Sequence, residues 1–442
     1  MKHLSDSDNP KSPMAEPDLK SKSVGLRVVN GLLALVVLAW LAVLLAWSAL
    51  HIFIVPRIDD YRDALQQQAS QAIGLRVDIG SIQARGGWLV PWFEINEIQL
   101  SDRDGRQALH LPRVLVAISP RSVLRGQFEQ IDIESPELEI RKDANGHVWV
   151  AGLDATRAGD GSAADWVFSQ PQWVVRQGVV HWRDESRPQQ TQGDAPVLTL
   201  QGVEVSLVNQ WFRHEIRADF TPPEAFGQRL TLQGKFHQAP WLPAGDFSHW
   251  SGDAFANLPF VNLATLRQWV PMDKGLSLQE GRGALRLWSD IRQGVPVGIT
   301  ADMALDAVQA RLGADLLPLS LRHVHGRLGA QWQANSVEIS TQDLVFDTQE
   351  GEHWPGGVLR VSWSGDDLAS GTLNADRLDL EAMTQISQRL PLPEKWRALL
   401  ARVQPQGQVN QLKATWHRQA HDGLNYSLHG QVRQFHVKRD TP

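Results

Sequence analysis

The fold class is decided by ten residues in the second half of the chain, Val297-Gly298-Ile299-Thr300-Ala301-Asp302-Met303-Ala304-Leu305-Asp306. Apolar side chains occupy the odd positions, and small or polar side chains occupy the even ones. A period of two places the two sets on opposite faces of a β-strand. One apolar face and one wet face are typical of an antiparallel sheet, because buried parallel strands are apolar on both faces.

The same alternation recurs on both sides of this stretch, in residues 198–200, 203–207, 230–236 and 424–428. No long helical pattern separates these segments, so strand–helix–strand units are not expected. We predict that the apolar face is lined by Leu198, Leu200, Val205, Leu230, Leu232, Leu285, Leu287, Val297, Ile299, Met303, Leu305 and Leu428. The pattern leaves two alternatives open, since the core of a closed β-sandwich shows the same alternation as an open apolar surface.

Near the N-terminus, residues 31–55 form one apolar run in which only Ser48 and His51 are polar. As a helix it would be about 37 Å long, enough to cross a hydrocarbon core of about 30 Å. We predict an uncleaved transmembrane anchor at residues 28–55. The alternative is a cleaved signal peptide, whose apolar region is usually shorter. More cations precede the run than follow it: Lys11, Lys20, Lys22 and Arg27 come before it, and Arg57 and Arg62 come after it. Because cationic flanks stay on the cytoplasmic side, we expect a cytoplasmic N-terminus and a body on the other side of the membrane.

Composition and helical spacing divide the rest of the chain. We expect a disordered cytoplasmic tail at 1–27, a juxtamembrane amphipathic helix at 56–74, a β module at 75–153, a Gly/Ala/Asp-rich linker at 154–165, and a β region with helical insertions at 166–442. One insertion is a helix that begins after Asp379, a residue suited to cap a helix N-terminus.

The chain lacks the patterns of an enzyme. It has no cysteine, and its net charge of −6 comes from mixed charges, so neither thiolate chemistry nor a nucleic-acid partner is indicated. No His-Glu-x-x-His, Gly-x-Ser-x-Gly or phosphate-loop motif occurs. His323 and His325 lack a third ligand at a recognisable spacing, so we predict no metal site. We expect no catalytic residue and no cofactor.

Several short segments carry a resemblance to known proteins. Gly74-Leu75-Arg76-Val77-Asp78-Ile79-Gly80-Ser81-Ile82 follows the anchor and resembles the opening of AsmA-like envelope proteins, as do residues 122–126, 135–141 and 145–149. Within that superfamily, the chain resembles the YhdP family through residues 258–270, 281–286, 354–357, 375–380 and 389–393. The resemblance identifies 75–153 as an AsmA-like module and the chain as the N-terminal portion of such a protein, since family members are usually several times longer.

The resemblance implies a protein of the bacterial inner membrane with a periplasmic body. Its elongated antiparallel sheet would curl into an open hydrophobic trough, and phospholipid would move along this groove between the inner and outer membranes. About twenty strands at 4.8 Å spacing would extend about 100 Å, so we do not expect this chain to cross the envelope alone. The alternative is a non-transporting scaffold that assists outer-membrane protein assembly by offering sheet edges. Expected partners are phospholipid, the inner membrane, and outer-membrane or other envelope proteins.

Overall fold

The computed structural model describes residues 19–49, 52, 55–85, 91–102, 104–154, 162–186, 197–267, 277–333, 335–365, 369–392, 394–419 and 423–437. Residues 1–18 of the expected tail and residues 155–161 of the expected linker lie outside the described residues. The chain divides into two compact units, Met1–Ile58 and Asp59–Pro442.

The first unit is dominated by helix α1 (Leu19–Ala49). Its stretch Val29–Ala49 has 21 residues and a mean hydropathy of 2.5, which makes it long and apolar enough to cross a membrane. At 1.5 Å per residue this stretch is about 31 Å long, close to the thickness of a hydrocarbon core. One N-terminal helix of this kind fits a single-pass membrane protein.

The body begins with helix α2 (Arg62–Ile73), which follows a 3-10 segment at Val55–Tyr61. Helix α2 ends at Gly74, whose φ of 74° lies in the left-handed region that glycine adopts most easily. The chain then turns into strand β1 (Arg76–Arg85), which lies beside the helix. The expected helix at 56–74 is thus a 3-10 segment followed by an α-helix.

In the part of the chain that the structure describes, twenty further strands follow: β2 (Trp92–Ser101), β3 (Gln107–Ala117), β4 (Gln130–Glu134), β5 (Glu137–Lys142), β6 (Val148–Val150), β7 (Leu153–Asp154), β8 (Gln172–Asp184), β9 (Val197–Gln210), β10 (Arg213–Thr221), β11 (Leu230–His237), β12 (Ser251–Asn262), β13 (Ser277–Arg292), β14 (Val295–Arg311), β15 (Leu319–Gln333), β16 (Ser336–Thr348), β17 (His353–Pro355), β18 (Val358–Ser364), β19 (Ser370–Asp379), β20 (Pro405–Gln419) and β21 (Gly423–Val437). All of them belong to one sheet. The prediction of a mainly β protein is confirmed.

The larger part of the sheet is an antiparallel meander. From β8 onward each long strand pairs antiparallel with the next, as the alternation predicted. Strand β8, however, pairs in parallel with both β4 and β5, so the sheet is mixed. A parallel pair needs a crossover connection, and the chain between β5 and β8 supplies one. These two pairings join the β module at 75–153 and the β region at 166–442 into a single sheet.

Within the described ranges, five short α-helices accompany the strands: α3 (Pro120–Arg125), α4 (Ser162–Ser169), α5 (Leu263–Leu266), α6 (Leu380–Ile386) and α7 (Glu394–Val403). Helix α4 begins inside the expected linker at 154–165, because its apolar residues pack: Trp166 lies edge-on against Trp173, with ring centroids 5.4 Å apart. Helix α6 begins at Asp379, whose carboxylate accepts a hydrogen bond from the Ala382 N–H at 3.0 Å.

Residues with a left-handed backbone interrupt many strands. They include Gln177 in β8, Gly202 in β9, Ala307 in β14, Asp343 in β16 and Gln411 in β20, with φ between 48° and 55°. Such a bulge adds one residue, bends the strand and shifts the alternation by one position. Leu200 and Val203 therefore share a face although their separation in sequence is odd.

Candidate functional site

The register of the sheet aligns apolar side chains into rows, because directly opposed residues of an antiparallel pair point to the same face. Row A crosses eleven strands from β9 to β20 and is apolar except for Thr341. Its members are Val205, Ala218, Leu232, Ala256, Leu287, Ala301, Leu328, Thr341, Leu359, Ala375 and Leu412. Row B lies two residues away along the strands and includes Ile299, Ala330, Ile339, Val361, Leu373, Ala414 and Leu428. We call the two rows together the apolar floor.

Much of the apolar floor is accessible to solvent. Leu232, Ile299 and Leu428 are 40%, 39% and 66% exposed, respectively. Residues at the centre of a closed β-sandwich would be buried between two sheets. Every strand that the structure describes belongs to the same sheet, so no second sheet covers these side chains within the described ranges. The floor is therefore an open apolar surface at β11, β14, β15 and β21, whereas Ala375 and Leu412 at the β19–β20 end of row A are only 5% and 6% exposed and belong to a hydrophobic core.

The structure brings most of the predicted lining residues onto this face. Val205, Leu232 and Leu287 lie in row A, and Ile299 and Leu428 lie in row B. Leu230, Leu285, Val297 and Met303 continue the same alternation on their strands, while Leu198 and Leu200 reach this face through the bulge at Gly202, and all six are partly buried. Their contact with lipid stays a prediction.

Leu305 differs from the other predicted lining residues because it is only 7% exposed. It belongs to a hydrophobic core that also contains Leu263 of α5, Phe346 of β16 and Ile386 of α6. Helices α5 and α6 connect consecutive strands at one side of the sheet, and we call that side the helical rim. The alternation of β14 did not reveal this cover, since the helices come from distant parts of the sequence.

The opposite face of the same strands is polar. On it, Arg327 donates two hydrogen bonds to the Asp302 carboxylate, at 2.5 and 2.8 Å. These bonds hold the pKa of Asp302 below its ordinary value. The Arg327 guanidinium also lies 5.7 Å from the Trp288 ring centroid. The two faces therefore separate apolar from charged surface along the strands, as the alternation predicted.

A cavity of about 810 Å³ opens near the bulge of β20, where the register with β21 shifts. Its lining includes the charged side chains of Arg360, Asp376 and Lys413 beside Ala375 and Leu412 of row A. Its mixed chemistry distinguishes it from the apolar floor.

Several floor residues were missed from the sequence. Ala218 and Ala256 are small, and they belong to the floor only because the register places them between larger apolar neighbours. Leu328 and Leu359 do show a period of two with the residues that follow them, so alternation could have found them. Their alignment across strands could not be predicted, because the sequence does not show which strands pair or in which register.

A comparison with curated proteins finds no match. The family whose description is YhdP protein matches residues 14–442, nearly the whole chain. This match confirms the resemblance seen in the short segments, and the chain belongs to the YhdP family.

Proposed function

We propose that the protein is anchored in the inner membrane by residues 28–55, with a cytoplasmic N-terminus and a periplasmic body, and that it transfers phospholipid between the inner and outer membranes. The observation that carries this proposal is the apolar floor, which continues across many strands and is exposed at β11, β14, β15 and β21. The apolar helix α1 and membership of the YhdP family support it.

The physical reason is the cost of exposing acyl chains to water. Each methylene group removed from water contributes about 0.8 kcal/mol, so two acyl chains in an aqueous gap would cost tens of kcal/mol. Row A crosses eleven strands, which corresponds to about 48 Å at 4.8 Å per step. A surface of that length lowers the barrier but gives no direction, and it needs no catalytic residue, metal or cofactor.

The test is a photo-crosslinking amino acid at Ile299, with Thr300 as its matched control. The two residues are adjacent in β14 and lie on opposite faces of the sheet. In living cells we expect phospholipid adducts from position 299 and few from position 300. Adducts with polypeptide alone at position 299 would contradict lipid transfer.

One observation favours the scaffold as a second candidate. Strand β21 pairs with β20, and within the described residues its other edge has no partner. Its side chains include Tyr426 at 79% exposure and Phe435 at 55%. An unpaired edge with apolar side chains can accept a strand from another polypeptide. Polypeptide adducts at β21 without lipid adducts at Ile299 would favour this function.

A further inference from the structure

The strand ends opposite the helical rim carry a row of aromatic residues. We call this side the hairpin rim; it comprises the C-terminal ends of β13, β15, β18 and β20 and the starts of the strands that follow them. The aromatic row lies two residues beyond row B and contains Trp332, Val337, Trp363, Gly371, Trp416 and Tyr426, each directly opposed to the next. It shares the face of the apolar floor.

The aromatic side chains are held at the boundary between apolar and wet surface. The indole N–H of Trp332 donates to the Pro296 carbonyl at 2.7 Å. A Cβ atom at Gly371 would clash with the Trp416 ring, so that glycine leaves room for the indole. Trp332, Trp363 and Trp416 are partly buried, whereas Tyr426 is mostly exposed. Trp and Tyr favour sites with one apolar and one wet side.

Between β14 and β16, the described residues of the helical rim offer no comparable exit from the floor. Leu305, Val324 and Phe346 are buried there in one core with Ile386 of α6. A charged phosphate placed in that core would lose its hydration without gaining a partner. An amphiphile that lies on the floor at these strands would therefore direct its polar end toward the hairpin rim.

We infer that phospholipid headgroups emerge at the hairpin rim, that the glycerol and ester region contacts the aromatic row, and that the acyl chains point across the floor toward the helical rim. This inference rests on the proposed function. The width of the floor along a strand is sufficient for an acyl chain. Val297 and Met303 are six residues apart on β14, which corresponds to about 20 Å at 3.4 Å per residue. One leaflet contributes about 15 Å of hydrocarbon.

A cavity of about 290 Å³ at the hairpin rim supports this orientation. It is lined by the apolar side chains of Val297 and Trp332 together with Asp290, Arg292, Gln331 and Gln333. The arginine and the glutamine amide can donate to a phosphate, and the aspartate can accept from an ammonium group. Apolar contact and charges of both signs meet there, as the headgroup end of a zwitterionic phospholipid requires.

The experiment uses two photoreactive phosphatidylethanolamines, one with a diazirine in the headgroup and one with a diazirine in an acyl chain. The full chain is loaded with each probe from vesicles, and adducts are mapped by mass spectrometry. We expect headgroup adducts along the aromatic row and acyl adducts on the floor, near Ile299 and Met303. Acyl adducts on the floor combined with headgroup adducts at the helical rim, near Leu344, or on both rims equally, would overturn the inference and leave the proposed function standing. No adducts from either probe would contradict both.

A double variant, Trp332→Ala with Trp363→Ala, tests the role of the aromatic row itself. We expect headgroup adducts along the row to be lost or scattered, while acyl adducts on the floor persist. Trp241→Ala is the control, since Trp241 is 83% exposed and lies outside the row. Its adduct map should match that of the wild type. An unchanged headgroup map in the double variant, with an unchanged thermal midpoint, would overturn the inference.

Discussion

Ile299 and Leu305 are both apolar residues of β14 and share a face, yet they differ in how far they are buried. Ile299 is 39% exposed on the floor, whereas Leu305 is 7% exposed in the core beside the helices. We expect Leu305→Ala to lower the free energy of unfolding by about 2–5 kcal/mol, as for a cavity in a packed core. Ile299→Ala should cost about 1 kcal/mol or less, because part of its surface is already in water.

Denaturant unfolding of the full chain measures both values. Equal losses for the two variants would mean that Ile299 is packed like a core residue, which contradicts an open floor.

A second residue, His214, has surroundings that determine the protonation of its imidazole. It is fully buried, stacked on Trp250 with centroids 4.5 Å apart and edge-on to Phe168 at 5.6 Å. The Asn209 amide nitrogen donates to the Gln170 carbonyl, so its Oδ1 accepts from His214 Nδ1 at 2.7 Å. The other ring nitrogen, Nε2, has no hydrogen-bond partner. These neighbours are uncharged, and burial lowers the pKa of His214.

A lowered pKa makes stability depend on pH with a defined sign. The unfolded chain takes up a proton on this imidazole below a pH of about 6.5, whereas folded His214 stays neutral to a lower pH. Its contribution to the free energy of unfolding is therefore complete above that value and declines as the pH falls below it. We expect His214→Gln to flatten this decline in chemical unfolding at a series of pH values. His237→Gln, an exposed control, should retain it; identical profiles for both variants would refute the role of His214.

At the scale of a secondary-structure element, helix α2 protects strand β1, because the helix lies along the outer edge of that strand. The Val77 N–H donates to Ser70 Oγ at 3.0 Å, and the Ile79 N–H donates to Gln66 Oε1 at 3.1 Å. Open strand edges invite pairing with other chains, and side-chain partners prevent it. We expect the double variant Gln66→Met with Ser70→Ala to speed hydrogen exchange at these two amides and to increase self-association.

Gln67→Met, an exposed position on the same helix, is the control for this effect. If amide exchange at Val77 and Ile79 were as slow in the double variant as in the control, the helix would not be protecting the edge through these bonds.

Local chemistry explains which elements could be predicted from the sequence. A period of two identified the strands, and Asp379 and Gly74 identified helix ends, because these signals act over a few residues. The parallel pairing of β8 with β4 and β5 depends on contacts between distant segments, so the sequence pattern did not reveal it. The same holds for the cover that α5 and α6 place over Leu305.

At the scale of the whole molecule, one continuous sheet allows many small apolar surfaces to act together. The alternation alone was compatible with both a closed β-sandwich and an open apolar surface. The exposure of the floor residues distinguishes these two folds, and it is known only once the strands are paired. We expect the double variant Ile299→Asp with Leu328→Asp to stop phospholipid transfer without unfolding the body, since both side chains are 37–39% exposed. Transfer of labelled lipid between vesicles bearing the full chain measures this effect. Transfer at the wild-type rate would show that the floor is not the path.

The central claim is that acyl chains lie on the floor, and mass spectrometry of lipids that co-purify with the full chain tests it most directly. We expect phospholipid with the wild type and with Thr300→Asp, whose added charge lies on the polar face, and a loss of most phospholipid from the Ile299→Asp and Leu328→Asp double variant. Equal phospholipid in all three proteins, or none in the wild type, would contradict the claim.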